Sequence, residues 1–356
     1  VFRRRQRQMC IRDSINTTSG KLHRKHLTRI SMRIAVTDGI DLGAKKVLQE
    51  LGHSVSEKHF SNDDLIDGCI SEYDVVIIRS ATKLTADVIK ANTANDSKLS
   101  MIIRAGVGVD NIDLPSASEN SVLVCNTPGA STNAVVELTI GHLISSCRKI
   151  CTGNRKMRDG VWAKKELRGS ELRGKNLGLL GYGRIAKGVA EIARSIGMKI
   201  HVYDPYVESN EEDCVYHDSV ESLFGKCTHV SIHCFLSEET RHLVGYEMIS
   251  LMPQKSDDGN LCGNHIVNCA RGGIIDEVGL HRALIDGTLA TASLDVFEVE
   301  PAIKSDLLQL DGFQATPHIG ASTKEAQSRI GHEIVSIVRA HSCLLYTSDA
   351  ADDGIR

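Results

Sequence analysis

The stretch NLGLLGYGRIA, residues 176–186, decides the fold. An apolar run ends at Gly181, and the pattern Gly181-x-Gly183-x-x-Ala186 then opens a segment with helical spacing over 185–196. Binding a dinucleotide pyrophosphate at such a junction requires a tight turn, a backbone free of side chain and a helix packed close on its sheet. Gly181, Gly183 and small Ala186 supply these in that order. The helix that Arg184 and Ile185 begin offers free N–H groups and a positive dipole end to the phosphates. Twenty-three residues after Gly181, the strand pattern KIHVYD ends in Asp204. A carboxylate there hydrogen-bonds the adenine ribose hydroxyls and repels a 2′-phosphate, which selects NAD over NADP.

Outward from this motif, short β-branched runs alternate with helical stretches. Before it, strands are expected at 33–37 (RIAVT), 54–59, 75–79 (VVIIR), 101–104 (MIIR) and 122–125 (VLVC), with helices at 42–51, 63–70, 85–91 and 115–119. Nearly continuous apolar strands between helices imply a parallel sheet covered on both faces, here a flavodoxin-like α/β unit. A long helix over 134–158 follows. Six strands are then expected at 176–180, 199–203, 229–234, 265–268, 291–297 and 313–316, with helices at 185–196, 220–224, 240–251 and 277–285. The last helix shows Ser322-x-x-Glu325, a capping-box pattern, ahead of an apolar stripe at Ala326, Ile330, Ile334 and Ile337. The polar, Gly-rich run 254–264 reads as a surface loop.

The two ends read differently. Residues 9–13 can be encoded by ATG TGT ATA AGA GAC, and residues 343–348 by TGT CTC TTA TAC ACA TCT. With one further base, the first string is the reverse complement of part of the second. Residues 1–14 and 343–356 are therefore expected to be translated sequencing adapter. Residues 15–31, basic and without an acidic residue, fit either untranslated leader before Met32 or the end of a transit peptide. The expected location is cytoplasmic in the first case and an organelle matrix in the second. Residues 1–14 hold five Arg and one Asp, and 343–356 hold three Asp and one Arg, so without the ends the formal charge of −3 becomes −5. No nucleic-acid or membrane partner is expected from that balance or from the hydropathy. Nine cysteines remain of eleven once Cys10 and Cys343 are set aside, an odd, scattered set that suits reduced thiols. Cys147 and Cys151 lie four apart, and His229, His233 and Cys234 are close together. Neither group has a matching second half, so no metal is expected.

Three polar residues follow strand ends on the carboxyl side of the second sheet, where ligands bind in open α/β folds. Arg271 follows IVNCA, Glu300 follows SLDVFEV, and His318 lies in ATPHIGAST. Interconverting a 2-hydroxy acid and its keto acid needs a hydride carrier, a cation for the carboxylate and a group that exchanges the hydroxyl proton. Arg271 suits the carboxylate and His318 the proton, with Glu300 placed to pair with the imidazole and orient it.

With NTPG (126–129), NCARGG (268–273), DVFEVEP (295–301) and PHIGASTKEAQSR (317–329), the chain from about Met32 to His341 resembles the D-isomer-specific 2-hydroxyacid dehydrogenase family. The resemblance implies an NAD-binding Rossmann domain, 131–317, inserted in a flavodoxin-like substrate domain, 32–130 and 318–342. It implies catalysis by Arg271, Glu300 and His318, and cofactor contacts at Gly181, Gly183, Arg184, Ile185, Asp204, His233, Cys269 and Asp295. It also implies a homodimer through the NAD-binding domain. IRSATKLTADVI (78–89), RAGVGVDNID (104–113) and GASTKEAQSR (320–329) are most similar to the phosphoglycerate dehydrogenase branch. That branch implies oxidation of 3-phospho-D-glycerate in serine biosynthesis, with Arg79, Ser80, Gly106, Val107 and Gly108 at the substrate. A hydroxypyruvate or glyoxylate reductase and an NAD-sensing corepressor are the alternatives. The chain departs from the family in having His233-Cys234-Phe235 where many members have His-x-Pro, and in a longer 254–264 loop.

Overall fold

The computed structural model describes residues 31–352 except 95 and 209–212. The adapter and leader readings of residues 1–30 and the last four residues thus lie outside the described residues.

The first unit runs β1 (Arg33–Val36), α1 (Leu42–Glu50), β2 (Ser54–Glu57), α2 (Asn62–Ile66), β3 (Val75–Ile78), α3 (Ala86–Thr93), β4 (Met101–Arg104), α4 (Leu114–Glu119) and β5 (Leu123–Asn126). Its sheet is parallel throughout, in the order β2-β1-β3-β4-β5, the flavodoxin arrangement that the alternation implied. Every residue of β3 is buried, as expected of a central parallel strand covered on both faces.

The second unit contains α5 (Thr132–Arg148), α6 (Ile150–Arg158), β6 (Asn176–Leu180), α7 (Arg184–Ser195), β7 (Lys199–Tyr203), β8 (Cys214–Tyr216), α8 (Val220–Lys226), β9 (His229–Ile232), α9 (Tyr246–Ser250), β10 (His265–Asn268), α10 (Glu277–Ile285), β11 (Thr291–Leu294) and β12 (Phe313–Ala315). The sheet is seven-stranded, in the order β12-β11-β10-β9-β6-β7-β8, and its pairings are all parallel. Strand order reverses between β6 and β9, which is where a doubly wound sheet opens its crevice.

α11 (Lys324–Asp352) returns to the first unit. Its Ile330, Ile334, Val335 and Val338 enter the cluster formed by Met32, Ile34, Leu48, Ile77 and Ile103. This is the stripe the sequence shows, except that Val335 and Val338 join it and Ile337 stays at its margin.

Several local expectations are corrected. The long helix over 134–158 is two helices, because Lys149 adopts a left-handed conformation (φ 52°) and ends α5. The helix expected over 240–251 shrinks to Tyr246–Ser250, because Val244 instead forms a parallel bridge to Ile275. β8 was not anticipated: three residues at a sheet edge carry too short a pattern to register. The cap of α11 is Thr323, whose Oγ1 accepts from Ala326 N at 3.1 Å, rather than Ser322. The 254–264 run is not a free loop. It forms a small antiparallel bridge, Lys255 to Leu261, and Asp257 holds Lys199 and Lys226 at 3.1 and 2.9 Å.

Candidate active site

The β6–α7 junction is built by contacts that tolerate no bulk. Gly181 has φ +91°, and a Cβ there would lie 2.7 Å from Cys234 N, so this turn and the chain leaving β9 meet backbone to backbone. Gly183 precedes α7 with no side-chain cap, and a Cβ on it would meet nothing within 4 Å. Its surroundings are open and the first N–H groups of α7 point there, with Arg184 exposed and Ile185 half-buried. Ala186 is fully buried.

Asp204 follows β7 and is pinned by two backbone donors, Tyr182 N to Oδ2 at 2.7 Å and Tyr206 N to Oδ1 at 2.9 Å. Each carboxylate oxygen keeps accepting capacity for a ribose hydroxyl. The residues therefore fit a dinucleotide: a bare helix end for the pyrophosphate and a fixed carboxylate beyond it. His233 lies at the end of β9 with Nε2 2.9 Å from Ser231 Oγ, and burial lowers its imidazole to about 4. Cys269, just past β10, is buried, which raises its thiol to about 12.

The three residues expected to act together do converge. His318 Nδ1 lies 2.8 Å from Glu300 Oε2. A carboxylate only accepts, so Nδ1 carries the proton of this bond. His318 has φ +52°, and its N–H is held by Asp295 O at 2.8 Å. Burial raises Glu300, but the His318 hydrogen bond and charge, the Phe297 N–H and the Arg271 charge outweigh it, so the carboxyl lies below its usual range. Arg271 donates Nε to Asp110 at 3.0 and 3.3 Å and Nη1 to its neighbour Ala270 O at 2.6 Å. Asp110 belongs to the Gly-rich turn after β4, so this ion pair spans the cleft between the two units.

Asp295 directly follows β11. It is buried, and its carboxylate accepts from Thr316 Oγ1 (2.6 Å), Ile319 N (2.8 Å) and Gly320 N (2.9 Å). The structure makes it the support of the turn that carries His318.

On the first unit, Arg79 and Ser80 follow β3. Arg79 N donates to Asp38 Oδ2 at 2.7 Å, and Asn111 Nδ2 holds Arg79 O at 2.7 Å. In the turn after β4, Val107 O accepts from Asn126 Nδ2 at 2.6 Å. No hydrogen bond from Val107 N or Gly108 N is found among the described residues. Reading the sequence missed Arg104. Its guanidinium is lowered to about 10, first by burial and then by Arg271, with Arg79 adding to the effect against Asp110 and Asp38. Three arginines thus crowd one turn, and Arg104 Nε is buried without a partner among the described residues. The signal was present: Arg104 opens the Gly-rich run 104–110, but a lone Arg ending a strand reads equally as a surface charge.

Comparison with known proteins agrees with this geometry. Residues 140–320 match the NAD-binding domain of the D-isomer specific 2-hydroxyacid dehydrogenases. The hydroxypyruvate reductase of Thermotoga maritima is 44% identical over 309 residues, covering 85% of this chain and 96% of that protein. The D-3-phosphoglycerate dehydrogenase of Methanocaldococcus jannaschii is 41% identical over 305 residues, or 84% of this chain. This chain spans 55% of that relative's length. The NAD-bound 3-phosphoglycerate dehydrogenase of Entamoeba histolytica superposes with a TM-score of 0.71 at 35% identity, over 87% of this chain and 94% of that one. The chain belongs to the D-isomer specific 2-hydroxyacid dehydrogenase family. Its second unit is the NAD-binding domain of that family, and the family's NAD-linked oxidoreduction of D-2-hydroxy acids is its chemistry. Among the described residues, no helix is long and apolar enough to cross a membrane.

Proposed function

We propose that the chain oxidises 3-phospho-D-glycerate to 3-phosphohydroxypyruvate with NAD. The reading rests on the grouping of Arg79, Arg104 and Arg271 about the Gly-rich turn, with Asp110 and Asp38 as the counter-charges acting on Arg104. Such a cation excess suits a substrate carrying both a carboxylate and a phosphate, with Arg a bidentate ligand for each. In this reading Arg271 and the N–H groups of Val107 and Gly108, beside Gly106, hold the carboxylate. Arg79 and Ser80 face the phosphate. His318 Nε2 takes the hydroxyl proton as the C2 hydride leaves, and Glu300 holds the imidazole in the tautomer that can do so. NAD bound along Gly181, Gly183, Arg184, Ile185 and Asp204 would accept the hydride, with His233 and Cys269 flanking the nicotinamide end. Residues 32–130 and 318–342 serve as the substrate domain and 131–317 as the cofactor domain.

A second reading, reduction of hydroxypyruvate, is favoured by the 44% identity to a hydroxypyruvate reductase along 96% of its length. Steady-state rates with D-3-phosphoglycerate and D-glycerate separate the two. The proposal expects a strong preference for the phosphorylated acid, and Arg79→Ala to lower kcat/KM for it by about 10- to 100-fold, the worth of a charge-assisted contact. Equal turnover of both acids, or an indifferent Arg79→Ala, would leave the reductase reading in its place. We also propose a homodimer through the cofactor domain, since Ile144, Ile150, Met157, Val161 and Trp162 are all exposed along one continuous stretch.

A further inference from the structure

The carboxyl ends of the seven-stranded sheet carry the site described above, and the amino ends carry a cluster that it does not use. Cys147 in the last turn of α5, His229 at the start of β9 and His265 at the start of β10 are all buried, and one ligand atom from each lies within 4.8 Å of the others. β9 and β10 pair in the register His265 to His229. The two imidazoles therefore stand side by side, with ring centroids 4.6 Å apart and planes inclined by 27°. Each ring is held by a threonine hydroxyl at Nδ1: His229 by Thr228 Oγ1 at 2.8 Å and His265 by Thr291 Oγ1 at 2.7 Å. Metal-binding histidines are oriented in this way, one ring nitrogen fixed by a hydrogen bond and the other left as ligand. His229 Nε2 is buried with no hydrogen-bond partner among the described residues. Native interiors seldom leave such an atom unmatched. His265 Nε2 donates to Cys262 O at 3.1 Å, so ligation through Nε2 requires its proton to move to Nδ1, where Thr291 Oγ1 can accept it.

We propose that Cys147, His229 and His265 bind a borderline-soft divalent cation, with zinc the fitting ion. The sequence pattern points to no metal, and with the three residues 82 and 36 positions apart only the fold unites them. One thiolate and two imidazoles select zinc or cobalt over magnesium or calcium, which take oxygen ligands. Binding displaces the Cys147 proton to solvent as the metal–sulfur bond forms. The bound ion would tie α5 to β9 and β10, stabilising the folded chain by mass action.

The test is an anaerobic titration of the full chain, first stripped with a chelator, with Co²⁺. The expected result is a thiolate-to-cobalt charge-transfer band saturating at one ion per chain. Zinc should displace it, and zinc should raise the unfolding temperature. Cys147→Ser and His229→Gln should each weaken cobalt binding at least about tenfold, with hydride-transfer rates of the folded variants unchanged. Absence of the band in folded wild-type chain would overturn the proposal, as would unaltered binding by both variants. If neither variant folds, the wild-type band and the zinc-induced shift decide alone.

Discussion

Gly108→Ala isolates the placement of Arg271 from the stability of the fold. A Cβ at position 108 would lie 1.5 Å from Arg271 Nη2 and 2.5 Å from its Cζ. Ordinary contact begins near 3.4 Å, so the guanidinium must retreat by about 2 Å. It sits at the end of a flexible side chain, and Gly108 does not occupy left-handed backbone, so the retreat costs folding little. The cost falls on catalysis. Misplacing a substrate-orienting group by about 1 Å can lower the rate about 100-fold, or about 3 kcal/mol of transition-state stabilisation. The expected outcome is a kcat/KM at least 100-fold below wild type, followed by NADH absorbance, with an unfolding temperature within a few degrees of wild type (about 1 kcal/mol or less). A contrasting variant, Gly106→Ala, should lose stability as well, because Gly106 has φ +151° and a Cβ would lie 1.4 Å from Arg104 Nη1. A folded Gly108→Ala protein with kcat/KM within about threefold of wild type would refute the assignment of Arg271 to the substrate carboxylate.

Glu300→Gln keeps the shape but removes the charge facing His318, and should lower kcat by about 100-fold or more while leaving the KM for NAD within a few-fold; steady-state kinetics in both substrates check this. Asp204→Ala removes the carboxylate that Tyr182 N and Tyr206 N hold. The ratio of kcat/KM for NAD over NADP should fall by on the order of tenfold to a hundredfold, measured with the two cofactors in parallel. His201 and His265, both lowered to about 4 chiefly by burial, are neutral in the folded chain, whereas their ordinary value is 6.5. The unfolded chain thus takes up protons that the folded one refuses. Stability should fall by about 1 kcal/mol per pH unit for each imidazole as pH drops from 6.5 towards 4, with no change on their account above 6.5; urea midpoints in chelator at the two ends of that window read it. Trp162, 78% exposed, should be needed for association if the cofactor domain pairs with its copy. Trp162→Glu should then sediment as a monomer where wild type sediments as a dimer.

What the sequence disclosed follows the range of the forces involved. Parallel strands buried on both faces leave unbroken apolar runs, so VVII and NLGLL could be read directly, and β4, β6, β7 and β10 fall where the pattern put them. The glycine motif was legible because its geometry lies within a few residues. The Arg271, Glu300 and His318 set was legible by position after strand ends. Lys149 broke a helix that periodicity would have continued, since one left-handed residue leaves no compositional mark unless it is Gly or Asn. That the Asp295 oxygens close the turn 316–320 was not legible, because nothing local shows it. Arg104 and the Cys147–His229–His265 cluster escaped for the same reason: their significance depends on neighbours brought in from far along the chain.

The same two strands place both features, and this sets how they should interact. β9 and β10 begin with His229 and His265; β9 ends at Ile232, directly before His233, and β10 at Asn268, ahead of Arg271. Three strand rises separate the first and last residues of each, about 10 Å, and the chain runs on further before reaching the catalytic side chains. No residue of the histidine cluster bonds to Arg271, Glu300 or His318 among the described contacts. Perturbations that far apart without shared partners usually add. The double variant Gly108→Ala with Cys147→Ser should therefore show the stability change of Cys147→Ser and the rate loss of Gly108→Ala, each within about 0.5 kcal/mol of its single-variant value. A rate loss in Cys147→Ser alone, or a coupling above that size, would mean that β9 and β10 transmit strain from their amino ends to the cleft.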